Sequence, residues 1–401
     1  MPQTFVFSTH AARGDVWPYL AIGRELKSRG HRAIIASSES YRATAEQNGL
    51  EFRAVRPDSP QGNDLEKLMH PISGTEWLFR RWLLPSLAHS VADLRDATQN
   101  ADVLITHTTS LAGPIVAAME AKNGLKWASS AVSPLALLQN DAVLPALPRA
   151  ADFPALNRVL WSLLKRQFGM QLKEVQYFRT QNGIGRGENA LWEDAHSSQL
   201  QLCLWDDEFA LVEKNGVRKA TGFCFLQEQQ AMSSALQQFL MNGEPPLMFV
   251  AASFSNNETV QRESLAAARI LQKRAVFLGF GGFSEGEKWM QLGFEALEPL
   301  LPRVCALVHQ GGIGTLALGL RAGVPMLLCP RSHDQPDNAR RAQKLGIASV
   351  LSPKKYRADQ IAREISTLLE DGEIKSQRAN WQEKLRINGA IRAADELEAL
   401  L

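Results

Sequence analysis

The chain has 401 residues, 45% of them apolar and 21% charged, with a net charge of +2. That length exceeds one ordinary core and points to two domains of a globular protein. The near-neutral balance excludes a dedicated nucleic-acid binder, and no run approaches the roughly 18 uninterrupted apolar residues of a membrane span.

The opening "MPQTFVFSTH" has no basic segment and no long apolar segment, so it does not read as a signal peptide and the expected location is cytoplasmic. "TFVFST" (Thr4–Thr9) predicts a strand, "VWPYLAIGRELKSRG" (Val16–Gly30) a helix and "HRAIIAS" (His31–Ser37) a second strand. "ADVLITH" (Ala101–His107), "LAGPIVAAMEAKNG" and "KWASSAV" repeat the alternation, which specifies a parallel α/β sheet. Leu138 to Asn182 is less regular, with prolines and then a helical "NRVLWSLLKRQFGMQLKEV". "WDDEF" (Trp205–Phe209) reads as a solvated acidic turn. A second alternating series starts at "PLMFVAAS" (Pro246–Ser253), after linker-like "QEQQ" and "NGEPP" stretches. Cys203, Cys224, Cys305 and Cys329 lie far apart with no CxxC pair, which implies reduced thiols and no zinc site.

Val308 to Pro325 reads "VHQGGIGTLALGLRAGVP", a strand ending at His309 and a helix from about Ile313. Gly311, Gly312, Gly314 and Gly319 interrupt it, and a glycine costs about 1 kcal/mol against alanine inside a helix. At a strand–loop–helix junction, glycine lets the backbone approach a ligand, and the helix N-terminus offers unpaired N–H groups. Thr315 adds a hydroxyl in the first turn. Two readings stand: an anion cradle suited to phosphate, or a tight structural turn with a core-facing His309. The run is neither GxxxxGK[ST] nor GxGxxG, which removes P-loop and dinucleotide motifs. The next strand leads into Asp334, Gln335, Asp337 and Asn338, at the carboxyl edge where open α/β sheets bind ligands. A carboxylate and an amide beside a phosphate suit vicinal sugar hydroxyls, so the pair indicates a nucleotide sugar.

Val308 to Gly346, with its histidine, glycines, "GVP" and "DQPDNA", resembles the donor-binding signature of the inverting, UDP-glycosyltransferase-like family with the GT-B fold. "ARGDVWPYLAIGRELKSRGH" resembles the first strand–helix unit of that family's bacterial and sterol-type branch. "LMHPISGTEWLFRRWLLP", "ADVLITHTTSLAGP" and "SPLALL" further resemble rhamnosyltransferases of rhamnolipid synthesis. The resemblance implies an α/β GT-B architecture, two Rossmann-like parallel-sheet domains facing an interdomain cleft. Residues 1–222 would bind the acceptor and 223–380 the donor, with a C-terminal helix of about 381–401 packing back on the first domain.

Carried over by position, His309 would contact the donor diphosphate and Gly311, Gly312, Gly314 and Thr315 would hold the β-phosphate. Asp334 and Gln335, with Asn338 beside them, would bind the sugar. Ser253 matches a serine near the phosphates, although Ala252 replaces the family's preceding glycine. Phe294 and Leu297 align with the base-stacking segment. Plant members carry a glutamate that grips the ribose diol where this chain has Ala317, which makes a dTDP-sugar as plausible as a UDP-sugar.

Sugar transfer with inversion requires stabilisation of the departing diphosphate and removal of the acceptor proton. The helix N-terminus answers the first demand by preorganised dipoles. No DxD triplet occurs, so no metal is expected, and no cofactor beyond the nucleotide-sugar co-substrate. For the second demand the candidate base is Asp15, where the RGDV branch places an aspartate and plant members a histidine; the alternative for Asp15 is an N-cap. Trp77 and Trp82, in a buried helix or in the wall of an apolar acceptor pocket, and His107, at a strand end, are the expected acceptor neighbours. A lipid or other hydrophobic acceptor implies transient membrane contact. The expected sugar is a hexose, rhamnose or glucose; the rivals are a glucosyltransferase of a sterol, macrolide or phenolic small molecule, a nucleotide-sugar epimerase or hydrolase, and a non-catalytic nucleotide-sugar-binding subunit.

Overall fold

A computed structural model describes residues 1–10, 13–139, 141–213, 215–227, 232–250, 258–280, 286, 288–293 and 295–401. It forms two compact units, Met1–Leu226 with Asn388–Leu401, and Gln227–Ile387.

The first unit is built on seven strands: β1 (Thr4–Ser8), β2 (Arg32–Ser37), β3 (Glu51–Ala54), β4 (Val103–His107), β5 (Lys126–Ala131), β6 (Leu200–Cys203) and β7 (Arg218–Ala220). All pair in parallel in the order β3-β2-β1-β4-β5-β6-β7, with Phe7 opposite Ile35 on one side and Ile105 on the other. β1 and β4 are buried almost throughout, which is why they read as unbroken apolar runs. The strand order reverses between β1 and β4, the switch point of the sheet.

Helix α1 spans Arg13–Ser28, starting three residues earlier and ending two residues earlier than the sequence implied. The run Trp77–Leu83 is a π-helical stretch in which Leu84 N–H reaches back five residues to Phe79 O, just before Pro85, which has no N–H. Leu78, Phe79 and Leu83 enter the core with Leu94, Leu104 and Ile115. The irregular middle segment resolves into α2 (Pro154–Gln171) and a second helix, Lys173–Gln181. Only part of "WDDEF" is solvated: Trp205 and Asp206 are buried, while Asp207 and Glu208 face water. The indole of Trp205 donates to Ala210 O (2.9 Å), so this corner is a packed bend.

The chain returns to this unit in its last helix, Gly389–Glu398. Asn388 brackets the backbone of Phe225, accepting from its N–H (2.9 Å) and donating to its C=O (2.6 Å). Arg29 then pairs with Asp395 and Glu398 at 2.7 and 2.6 Å.

The second unit has six parallel strands, β8 (Leu247–Val250), β9 (Ala275–Leu278), β10 (Trp289–Leu292), β11 (Ala306–His309), β12 (Met326–Leu328) and β13 (Ala348–Val350). Their order is β10-β9-β8-β11-β12-β13, with its switch point between β8 and β11. Helix α3 (Ile313–Ala322) follows β11, and α4 (Gln335–Lys344) follows β12. Gly319 has a packing reason: a Cβ there would lie 2.5 Å from Met326 Sδ and 3.4 Å from Leu307 Cδ2. The glycine lets α3 lie close on β11 and β12. All four cysteines are free thiols. Among the described residues no helix is long and apolar enough to cross a membrane.

Candidate functional site

In the second unit the site grows from the end of β11. His309 is buried, and its Nδ1 accepts the N–H of Gly311 at 3.2 Å, which puts the ring proton on Nε2. Burial lowers the His309 pKa to about 3, so the ring is neutral. Its Nε2–H is buried without a partner among the described residues. An unpaired buried donor costs about 1–3 kcal/mol, and such a group in a native fold asks for a ligand or a reason.

Gly311 takes φ +85°, the left-handed region, and its carbonyl accepts from Asn338 Nδ2 at 3.1 Å. Gly312 is the N-cap of α3, with an ordinary φ of −59° and no side-chain cap. A Cβ on Gly312 would meet nothing within 4 Å. Neither backbone strain nor crowding requires glycine there, so the bare backbone leaves open space over the helix N-terminus. Thr315 sits half-buried in the first turn. The N–H groups of that turn make the anion-binding end of a helix dipole.

The second strand end completes the cluster. Asp334 is the N-cap of α4, and its Oδ2 accepts from Asn338 Nδ2 at 2.7 Å. Gln335 Oε1 accepts the N–H groups of Arg331 (3.0 Å) and Ser332 (3.2 Å), which folds the loop ahead of α4. Behind them Asp337 and Arg341 form an almost fully buried ion pair at 2.8 Å, which fixes the helix that carries these groups. Gln310, which the sequence reading passed over, ties β11 to β8 by donating to Val250 O at 2.9 Å. His309, Gly311, Gly312, Asp334, Gln335 and Asn338 are thus brought together at the switch point, with Thr315 one turn along α3. Leu297 begins a short helix, Leu297–Leu300, and is half-buried. Ser253 and Phe294 lie outside the described residues.

In the first unit the switch point carries Asp15 and His107. The N-cap alternative for Asp15 does not survive, because α1 begins at Arg13 and Asp15 lies inside its first turn. Its carboxylate, 24% exposed, has Oδ1 3.5 Å from His107 Nε2. His107 Nδ1 accepts from the N–H of Thr109 (3.1 Å) and from its hydroxyl (2.6 Å), so the proton on Nε2 faces Asp15. Burial lowers His107 to about 4, and His10, buried at the end of β1, likewise to about 4. Tyr19 stands edge-on to His107 with centroids 6.3 Å apart and pairs with Ser130 Oγ at 2.6 Å. The arrangement sets a carboxylate 3.5 Å from a buried neutral imidazole whose Nε2–H makes no hydrogen bond among the described residues, a carboxylate able to accept a hydroxyl proton.

The two tryptophans part company. Trp77 helps line a groove of about 570 Å³ with Asn63, Lys67, His70 and Arg81. Both pack against the same core cluster, and Trp82 donates its indole N–H to Asp58 O at 3.0 Å.

Comparison with known proteins adds two domain matches. Residues 5–88 match the glycosyltransferase family 28 N-terminal domain, and residues 291–388 match the C-terminal domain of erythromycin biosynthesis protein CIII-like proteins. The chain is 26% identical to O-mycaminosyltylonolide 6-deoxyallosyltransferase of Streptomyces fradiae, over 90% of this chain and 89% of that one. It is 25% identical to a sterol 3-beta-glucosyltransferase of Yarrowia lipolytica, over 97% of this chain and 28% of that longer protein. Among solved structures it resembles the kitacinnamycin glycotransferase, with TM-score 0.76, 18% identity and coverage of 100% and 99%. It also resembles the glycosyltransferase VinC in complex with dTDP, with TM-score 0.69, 16% identity and coverage of 99% for both. The shared fold is GT-B, two parallel-sheet Rossmann-like domains.

Proposed function

We propose that this chain, a GT-B glycosyltransferase by its two domain models and its fold, moves a hexose from a nucleotide sugar to the hydroxyl of a hydrophobic acceptor. The donor in this reading is a dTDP- or UDP-sugar, and the sugar rhamnose or glucose. The observation that carries it is the unpaired Nε2–H of buried His309 beside the open N-cap of α3 at Gly312. A diphosphate supplies the acceptor that this N–H lacks and the negative charge that the helix end favours.

Transfer proceeds with inversion: the acceptor oxygen bonds to the anomeric carbon from the face opposite the diphosphate, and the bond to the diphosphate oxygen breaks. Asp15 takes the acceptor proton, with the His107 ring 3.5 Å from its carboxylate. The charge released on the diphosphate is met by His309 and the first turn of α3. Those donors are fixed before the reaction, so the reading needs no metal there and no cofactor beyond the co-substrate.

Ala317 in place of a ribose-gripping carboxylate leaves a deoxyribose nucleotide as plausible as a ribose one. VinC and the spinosyn rhamnosyltransferase SpnG, two proteins of this fold, were solved with thymidine diphosphate, which supports dTDP. On the acceptor side a lipid-like hydroxyl acceptor is the first reading, supported by the resemblance to rhamnosyltransferases and not by the groove beside Trp77, whose other lining residues are polar or charged. A macrolide or sterol acceptor is the second, favoured by the names of the two relatives above. A cytoplasmic location fits either.

The test is a donor panel of dTDP- and UDP-sugars, read by binding and by turnover with and without lipid, macrolide and sterol acceptors. Asp15→Asn is expected to keep donor binding and lose about 10²–10⁴-fold in turnover. Donor consumed equally fast without any acceptor indicates a hydrolase or epimerase, and full activity in Asp15→Asn removes the base.

A further inference from the structure

Helix α2 buries little of itself. Over its 18 residues only Asn157 is buried. Asn157 Nδ2 and Trp161 Nε1 both donate to Ala142 O, at 2.9 and 3.0 Å, and fix which face turns inward. On another face Leu156, Val159, Leu163 and Met170 are 49%, 56%, 59% and 61% exposed. At 3.6 residues per turn these four fall within an arc of about 60°. Phe153, 63% exposed, continues the stripe past the helix start. Single exposed leucines are ordinary, but four large apolar side chains aligned on one helix mark an interaction surface.

Charge identifies what the surface meets. α2 contains no Asp or Glu; its charged residues are Arg158, Lys165 and Arg166, and beyond its ends Arg149 and Asp152 precede it and Lys173 and Glu174 follow. Lys165 meets Glu193 at 3.5 Å, whereas among the described residues no carboxylate pairs with Arg158 or Arg166. A second copy of this face would set like charges together. A surface of anionic headgroups over acyl chains satisfies both the cations and the apolar stripe.

We propose that α2 lies along an anionic bilayer surface, with Leu156, Val159, Leu163 and Met170 against the acyl chains and Arg158 and Arg166 at the headgroups. The helix is about 27 Å long, enough to lie flat on the interface. This goes beyond the donor and acceptor assignments and holds for a soluble acceptor as well as a lipid.

The test is co-sedimentation of the full chain with vesicles of phosphatidylcholine alone or mixed with phosphatidylglycerol. Val159→Ser/Leu163→Ser removes the stripe, and Arg158→Gln/Arg166→Gln removes the charge. Thermal midpoint and light-scattering mass report fold and oligomeric state, and Leu163→Ser alone serves if the double variant misfolds. The expected result is binding to anionic vesicles that falls about tenfold or more in each variant, with mass and midpoint unchanged. No vesicle binding, or binding that either pair leaves intact, overturns the proposal. A parent dimer that Val159→Ser/Leu163→Ser converts to monomer also overturns it, since a second copy then covers the stripe.

Discussion

His309→Asn and His309→Gln remove different nitrogens of one ring. Asparagine offers an oxygen near the position of Nδ1, so it can keep the bond from Gly311 N–H, 3.2 Å in the parent, while the Nε2–H disappears. Glutamine does the reverse. If Nε2–H donates to the diphosphate, its loss removes a hydrogen bond to a charged group, about 1.5–3 kcal/mol, or roughly 10–150-fold in Kd. The unliganded protein responds in the opposite sense. His309→Asn discards a buried unpaired donor and leaves a small void, so stability changes by only about 1 kcal/mol. His309→Gln strands the Gly311 N–H and costs about 1–3 kcal/mol of stability while retaining more of the donor affinity. Titration calorimetry with dTDP and UDP, alongside thermal midpoints, separates the two effects. Because the ring titrates near pH 3, binding between about pH 5 and 8 should show no step from this histidine. A His309→Asn protein that binds dTDP and UDP within about threefold of the parent refutes the diphosphate role.

Gly312→Ala points a methyl into the open space over α3: stability should drop by about 1 kcal/mol or less, as at any N-cap alanine, while donor affinity falls at least about tenfold in calorimetry. Gly319→Ala should destabilise the second unit despite alanine's helix propensity, since its Cβ would lie 2.5 Å from Met326 Sδ. Overpacking of this kind costs about 1–3 kcal/mol, and denaturant unfolding should show Met326→Val restoring part of it. Acid should unfold the first unit through its histidines. His10, His107 and His196 are held by burial near pKa 4, below the roughly 6.5 of an unfolded chain. The unfolded chain therefore binds more protons between those values. Stability is complete above about pH 6.5 and falls toward pH 4, by up to about 1.4 kcal/mol per pH unit for each histidine. Denaturation midpoints that stay flat over this range contradict the burial of these rings.

The alternation of strands and helices was legible because parallel strands buried on both faces, such as "FVF" in β1 and "VLIT" in β4, leave continuous apolar runs. β3 ("EFRA") and β7 ("RKA") left no such trace: they are short, they are the two edge strands of the sheet, and apart from buried Phe52 their side chains are exposed or half-buried. The glycine junction at Gly311 and Gly312 was readable as an anion cradle because the positive φ of Gly311 calls for glycine, while Gly312 has neither strain nor crowding to explain it. The tautomers of His107 and His309 were not, since each is set by a backbone N–H two residues further on. The π-helical turn at Trp77–Leu83 was equally hidden, because one extra residue per turn changes no apolar spacing strongly enough to show. It divides one greasy run into core residues, an indole bonded to Asp58 O and an indole at a groove.

The return of Asn388–Leu401 to the first unit has a consequence for biosynthesis. During synthesis at about 5–20 residues per second, every residue of the second unit leaves the ribosome before that returning segment does. The second unit can therefore close its sheet first, while the first waits for Asn388 to bracket Phe225 and for Glu398 to reach Arg29 and His31. A nascent chain stalled short of residue 388 should then hold a folded second unit tethered to an unfinished first one, open to protease along the α1 face that the last helix covers.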